Sequence, residues 1–452
     1  MSNIREIFYN TRGQTDYASV LEQVRKGVLQ SVEGRLEDLR EEDRRDKIAK
    51  YIIDYNIKCN ITDSVTELTD HIYHDMSGLS FISREKLFEM PGFEELNINA
   101  WNDVDLVVSG ITKKTDYRFL SPQHAIDIHL RMLQKTNTIM DPMMPRAIAD
   151  LGRSIRICVL QHPIVDRDVG VVSSIRKVNT STVDREFLIE KGTVSNDILD
   201  FLLLCLRHGV SVCTSGETGS GKTTLTGALI SLVAETLRTV TIEEGSREWY
   251  FVKRNDNGEI INSVVHLKTR PNEEDSRLNI DQKRLIMDSL RLDPEFLAIG
   301  EVRGEEAAET MGACNTGHTV ITTLHANSAL DSLMRLVTLA KKAYDMSDHT
   351  LLTMAVQAFP IMVHIEKLAD NTRRVTEIVE VEGYQNGDVI AHTLFEFEVE
   401  DNVHSGDGSI QVQGHFVQRS GISRKLAHRL LKKGARKADI DRFAEREEKC
   451  IC

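Results

Sequence analysis

The run Gly216-Glu217-Thr218-Gly219-Ser220-Gly221-Lys222-Thr223 places three glycines, a lysine and a hydroxyl at the spacing GxxxxGKT. A polyphosphate needs a concave row of backbone N–H donors, and glycine alone lets a main chain curl tightly enough to supply one. Lys222 offers a cation to the outer phosphates, and Thr223 a hydroxyl suited to Mg2+. The binding set expected for ATP is therefore Gly216, Glu217, Thr218, Gly219, Ser220, Gly221, Lys222, Thr223 and Thr224. A chance pattern in a Gly/Ser/Thr-rich loop is the plain alternative.

Two acidic strand ends follow. Val240-Thr241-Ile242-Glu243-Glu244 is an apolar strand closing on two carboxylates, and Phe296-Leu297-Ala298-Ile299-Gly300-Glu301 is a second. Strand ends in a doubly wound sheet open onto the ligand crevice, so Glu243 and Glu301 are candidates for the Mg2+ shell beside Thr223, and Glu301 also for orienting an attacking water. Adjacent strand residues point to opposite faces, so only one of Glu243 and Glu244 can face the phosphates directly. Arg303 follows and is expected to pair with a carboxylate. His318 and His325 bracket the run Thr319 to Leu324. A lone histidine is usually a hydrogen-bonded packing residue, but two beside a triphosphate site suggest a γ-phosphate sensor, and the sequence favours neither over the other.

Elements in the right order must hold these groups. Val210 to Thr214 reads as a buried strand and Lys222 to Leu237 as a helix whose positive end faces the phosphates. Further strands are expected at Thr239 to Glu243, Val264 to Lys268, Phe296 to Gly300 and Thr319 to Thr323, alternating with helices. After Ala355 the pattern turns antiparallel, with a hairpin at Gln385-Asn386-Gly387. Upstream, ELNINAW, DVDLVVSG, a helix from His124 to Lys135, SIRICVLQ and VGVVSSIRK suggest a smaller α+β domain. The expected organisation is a peripheral helical segment (1–75), an α+β domain (76–177), a linker (178–196), an α/β ATPase domain with a mostly parallel sheet (197–400), and a C-terminal extension (401–452).

At 452 residues, 41% hydrophobic and 28% charged, the chain is long enough for two or three cores. A net charge of -13 speaks against a general nucleic-acid binder, because neutralising phosphates takes excess Lys and Arg. Residues 419–442 reverse that sign locally, as a solvated helical face or as a surface for an acidic partner or an anionic membrane. No apolar run approaches the ~20 residues of a membrane helix, and the N-terminus lacks a signal core, so a cytoplasmic location is expected. Seven cysteines without a CxxC pair suggest reduced thiols used in packing. Cys450-Ile451-Cys452 fits no prenylation box.

These motifs in combination resemble the type II/type IV secretion and pilus-assembly ATPases, most closely the CpaF/TadA-like branch. The similarity spans roughly residues 94–400. It is carried by SIRK (Ser174 to Lys177), SGETGSGKTTL, VTIEE, TRPN (Thr269 to Asn272), LRLDPEFLAIGEVRGEEA (Leu290 to Ala307), NTGH with TLHAN, and RRVTEIVEVEG. The resemblance implies a RecA-like ATPase domain joined by a flexible linker to an N-terminal domain, assembled as a homohexamer with ATP and Mg2+ between the two domains. It implies Glu243 in an acidic box, Glu301 in Walker B, His318 and His325 in a His box, and Arg156 and Arg176 as arginines reaching toward nucleotide. Partners would be an integral inner-membrane platform protein and other pilus or secretion machinery, with no specific nucleic acid. The sequence departs from the family at Glu243-Glu244, where Glu-Asp is usual, at Gly245 to Glu248, shifted by one residue, and before Arg156, where ADLGRSIRI carries an apparent insertion.

Overall fold

A computed structural model of the chain describes residues 15–31, 39–136, 138–152, 154–177, 183–245, 248–270, 278–406, 408–444 and 449–451. It comprises two compact units, residues 1–179 and 180–452.

The first unit begins with α1 (Tyr17–Gln30), α2 (Glu41–Asp54) and α3 (Val65–Met76). Asp16 and Ser64 cap α1 and α3 by accepting from backbone amides. Apolar residues one turn apart, Val20, Val24 and Val28 of α1, pack with Ile48 and Ile52 of α2 and Leu68 and Ile72 of α3. The segment expected to be peripheral thus has its own core, and α3 runs past the boundary expected at residue 75.

The short helix α4 (Phe81–Arg84) leads to six strands: β1 (Phe93–Ala100), β2 (Asp103–Val108), β3 (Ile111–Lys114), then, after α5 (Pro122–Gln134), β4 (Arg146–Leu151), β5 (Ile155–Gln161) and β6 (Val171–Lys177). They form an antiparallel sheet in the order β3-β2-β1-β6-β5-β4. The apparent insertion before Arg156 is the β4–β5 hairpin, turning near Gly152 at φ +70°. In β5, buried residues alternate with half-exposed ones, as expected of a sheet covered on one face. α5 is tied to the covered face by His129, whose Nδ1 donates to the Ala125 carbonyl (2.7 Å) while Nε2 accepts from Ser173 Oγ (2.8 Å). Full burial pushes this imidazole down to about 4.

Residues 178–182 of the expected linker lie outside the described residues. The rest of it carries α6 (Arg185–Glu190), capped by Asp184, and sends Leu188 and Val194 into the core of the second unit. α7 (Asn196–Arg207) follows, and its apolar run Leu202 to Leu206 is core. Among the described residues no helix is long and apolar enough to cross a membrane.

The second sheet is built from β7 (Val212–Ser215), β8 (Thr239–Glu243), β9 (Val264–Lys268), β10 (Phe296–Glu301), β11 (Thr319–Leu324), β12 (Ile361–Lys367), β13 (Arg373–Gln385), β14 (Asp388–His404), β15 (Ile410–Gln418) and β16 (Lys449–Ile451). Its order is β16-β15-β14-β13-β12-β7-β11-β10-β8-β9. The strands from β12 to β9 run parallel, and those from β13 to β16 extend them antiparallel. Every residue of β7, β8 and β11 is buried because helices cover both faces. On one side α8 (Lys222–Val233) packs with α7; on the other lie α9 (Gln282–Ser289), α10 (Ala307–Asn315), α11 (Asp331–Ala340) and α12 (Asp348–Ala358).

The boundary expected at residue 400 falls inside β14, so residues 401–452 do not form a separate extension. α13 (Arg424–Lys432) and α14 (Lys437–Asp441) add Leu426, Leu430 and Ile440 to the same core as α7 and α8. Buried Glu380 fastens α13 by accepting from the amide (2.8 Å) and hydroxyl of its cap, Ser423. The polar run at 400–404 hid this continuation, because it rides on the exposed tip of a long strand.

Candidate functional site

Four neighbouring parallel strands bring their carboxyl ends to one edge. β7 ends at Ser215 and runs into the loop, its neighbour β11 ends just before His325, β10 ends at Glu301, and β8 ends at Glu243. This is where an α/β sheet offers a crevice.

The loop takes its shape from the glycines. Gly216, Gly219 and Gly221 sit at φ +154°, +77° and +101°. A Cβ on Gly216 would lie 2.2 Å from the Ile365 carbonyl oxygen, whereas one on Gly219 would meet nothing within 4 Å. Gly216 is therefore required for close packing on β12, and Gly219 lines open space. Gly221 caps α8 with no side chain bonded to the first-turn amides, which stay available to an anion. Thr223 and Thr224 are exposed on that turn.

A chain of polar contacts starts at Lys222. Its Nζ donates to the carbonyls of Gly216 (2.9 Å) and Glu217 (2.7 Å) and lies 3.3 Å from His325 Nδ1. His325 Nε2 is 3.0 Å from Glu301 Oε1. The carboxylate calls for a proton on Nε2, while Nδ1 lies between the Lys222 ammonium and the Gly216 carbonyl oxygen, 3.2 Å away. Glu301 Oε2 accepts from Arg303 at 2.7 Å, and Arg303 reaches Glu244 at 3.5 Å. Burial alone would raise the Glu301 pKa, but the Arg303 hydrogen bond and the fields of Arg303, His325 and Lys222 outweigh it and hold the carboxyl below its ordinary range. Burial lowers the pKa of Lys222 despite the opposing field of Glu301.

Lys222, Glu301 and His325 thus come together, while Glu243 and His318 are placed differently. Glu243 is buried, and its Oε1 accepts from the amides of Glu248 (2.6 Å) and Trp249 (3.0 Å). Its structure fits holding the loop after β8; exposed Glu244 is the carboxylate that joins Arg303. Trp249 carries the anchor to α8 by donating to the Thr223 carbonyl (3.4 Å). His318 precedes β11 and His325 follows it, so about seven residues at ~3.3 Å each put them at opposite edges of the sheet. His318 is therefore distant from the phosphate loop of its own chain. The shift at Ser246-Arg247 and the last two residues of the TRPN motif, Pro271 and Asn272, lie outside the described residues.

In the first unit Arg156 and Arg176 are cross-strand neighbours, flanked in register by Asp150 and Glu95. Two cations side by side repel. The adjacent strands were legible in the sequence; the pairing was not.

Two further arginines adjoin the loop, neither foreseen as a site residue. Arg373 donates from Nε to the Gly219 carbonyl at 3.1 Å across 154 positions. Arg335 on α11 lines a cleft of about 750 Å³ with Gly216, Glu217, Thr218, His325 and Asn327. The described cysteines are free thiols, with Cys205 and Cys213 fully buried in the core. The side chains of Cys450 and Cys452 lie outside the described residues.

A glycine-shaped loop at the carboxyl edge of a parallel sheet, with a lysine, a histidine and a glutamate in contact, forms the candidate site of an α/β protein. Residues 119–434 match the family described as type II/IV secretion system protein, and the chain belongs to that family. It is 28% identical over 241 residues to an uncharacterised protein of Methanocaldococcus jannaschii, covering 53% of this chain and 84% of that one. It is 32% identical over 231 residues to the conjugal transfer protein TrbB of Rhizobium radiobacter, covering 50% of this chain and 64% of TrbB. With the type IV secretion system protein PtlH of Bordetella pertussis it shares 32% over 185 residues, or 40% of this chain and 52% of PtlH. The chain thus spans less than two thirds of these two named relatives. Among solved structures, the pilus retraction motor PilT with bound ADP aligns at 16% identity and TM-score 0.47, covering 81% of this chain and 90% of PilT. The Legionella pneumophila ATPase DotB aligns at 17% identity and TM-score 0.46, covering 80% and 86%.

Proposed function

We propose that this chain hydrolyses ATP and converts the reaction into domain motion that powers pilus assembly or secretion at the cytoplasmic face of a membrane. The observation that carries the reading is the unbroken path from Lys222 through His325 to Glu301 at the mouth of the phosphate loop. The residues present fit the ligands. Open space at Gly219 and unbonded first-turn amides suit a triphosphate, and the exposed Thr223 hydroxyl and the ionised Glu301 are groups that suit Mg2+. Bound there, the ion would neutralise phosphate charge.

The chain's own groups then divide the work. Loop amides and Lys222 bind and orient the β- and γ-phosphates, and Lys222 exchanges its loop carbonyls for phosphate oxygens. Glu301, ionised at neutral pH, orients the water that attacks the γ-phosphorus as the bond to the ADP oxygen breaks. His325 holds Glu301 through Nε2 while sensing the phosphate side through Nδ1. Arg156 and Arg176 would supply cations to the transition state, a role worth ~10³ to 10⁵ in rate where an arginine performs it. A RecA-like domain, a hexameric ring, a CpaF/TadA-like branch and a membrane platform partner belong to the same proposal. The named relatives favour a second machine for the same chemistry, a conjugative or type IV secretion apparatus.

The test is Lys222→Ala. Turnover and nucleotide binding should both fall to background while the thermal transition is kept; unchanged ATP turnover would refute the reading.

A further inference from the structure

Arg373, at the first position of β13, joins the antiparallel extension of the sheet to the phosphate loop. Its Nε donates to the Gly219 carbonyl at 3.1 Å. The same side chain backs Gly221: a Cβ there would lie 3.1 Å from Arg373 Cδ and 3.7 Å from its Cβ. The loop carbonyls are therefore held by cations from two sides, Lys222 on Gly216 and Glu217, and Arg373 on Gly219. Every carbonyl turned to a cation leaves its peptide N–H oriented away from that cation, and amides so arranged are what an anion binds.

The two cations differ in what a phosphate does to them. A phosphate oxygen entering the cradle competes with the carbonyls for Lys222, whose ammonium is a compact donor on a flexible stem. Arg373, whose side chain is exposed, reaches Gly219 and Gly221 from the start of β13. It is also fixed in place, since the next residue, Arg374, donates to the Lys191 carbonyl at 2.7 Å and lies over the Phe397 ring.

We propose that Arg373 is a positioning residue for nucleotide binding, a clamp that keeps the loop curled once Lys222 has moved onto phosphate. The proposal rests on the reading that this loop binds ATP. It assigns to the start of β13 a function that no contact with the reacting atoms requires.

The test compares wild type, Arg373→Ala and Arg373→Lys by steady-state ATP turnover, by equilibrium binding of a fluorescent ADP analogue, and by thermal melting. Arg373→Ala should raise the KM for ATP and the Kd for the analogue about ten-fold, the size expected for one hydrogen bond to a charged group, while kcat stays within about two-fold. Arg373→Lys, which keeps a donor for the Gly219 carbonyl, should recover most of that affinity. Unchanged affinity in Arg373→Ala overturns the clamp. So does a fall in kcat and melting temperature shared equally by both variants, since that marks a general packing role. Wild type that binds no nucleotide overturns the reading beneath the proposal, and the clamp with it.

Discussion

Glu301→Gln separates chemistry from binding at this site. The substitution keeps the side chain's size and one oxygen that can accept from Arg303, and removes the charge. In the structure that charge contacts Arg303 at 2.7 Å and His325 at 3.0 Å, and it acts on Lys222 through its field, without a hydrogen bond between them. Loss of a positioned carboxylate that orients a nucleophile costs about 10² to 10⁴ in rate. At ~1.36 kcal/mol per decade this is ~3 to 5.5 kcal/mol on the barrier. Nucleotide affinity depends on the loop amides and Lys222, so Kd should shift by less than about three-fold, under ~1 kcal/mol. Phosphate release under saturating ATP measures the first quantity, and binding of a fluorescent ATP analogue the second. A kcat within ten-fold of wild type, or loss of binding, would show that Glu301 is structural. The pH profile gives an independent check. The Glu301 carboxyl is held below its ordinary value of 4.5, so the acid limb of wild-type kcat/KM should lie below that pH. Arg303→Ala should move it upward.

Two predictions concern stability. Gly216→Ala places a methyl group 2.2 Å from the Ile365 carbonyl and should cost ~3 kcal/mol or more, while Gly219→Ala, in open space, should cost only the ~1 to 2 kcal/mol of a left-handed backbone. Thermal melts of the two variants compare them directly, and equal losses would contradict the packing account. His129, with a folded value of about 4 against 6.5 in the unfolded chain, binds its proton more weakly when folded. Stability of the first unit should therefore be unaffected by His129 above pH 6.5 and fall between pH 6.5 and 4, by up to ~3 kcal/mol. Hydrogen exchange of α5 across that range measures the slope, which His129→Gln should flatten.

Strands buried on both faces read clearly as apolar runs, and β8, β9, β10 and β11 lie within a residue of their expected bounds. Short exposed β3 and the hairpin strand β4 carried little apolar signal and were not foreseen. Lys222, Glu301 and His325 were legible because strand ends in a parallel sheet face the crevice. His318 stands at the opposite edge of the sheet from His325, a consequence of the strand between them that pairing the two histidines in one box passed over. Glu243 sits at the expected strand end, but its bonds to the Glu248 and Trp249 amides were hidden, because they depend on where the following loop folds back. Arg373 was legible only as the first residue of the run RRVTEIVEVEG; its bond to the phosphate loop was not, because a long-range hydrogen bond to a main-chain oxygen constrains only one of its two residues.

The adjacent arginines opening β13 give the second unit a short mechanical linkage. Arg374 grips Lys191, close to where the chain enters the unit, and Arg373 grips Gly219 in the phosphate loop. A single peptide separates the two grips. Tension on Lys191 would thus reach the Gly219 loop by rotation about one strand terminus, with no need for the sheet itself to bend.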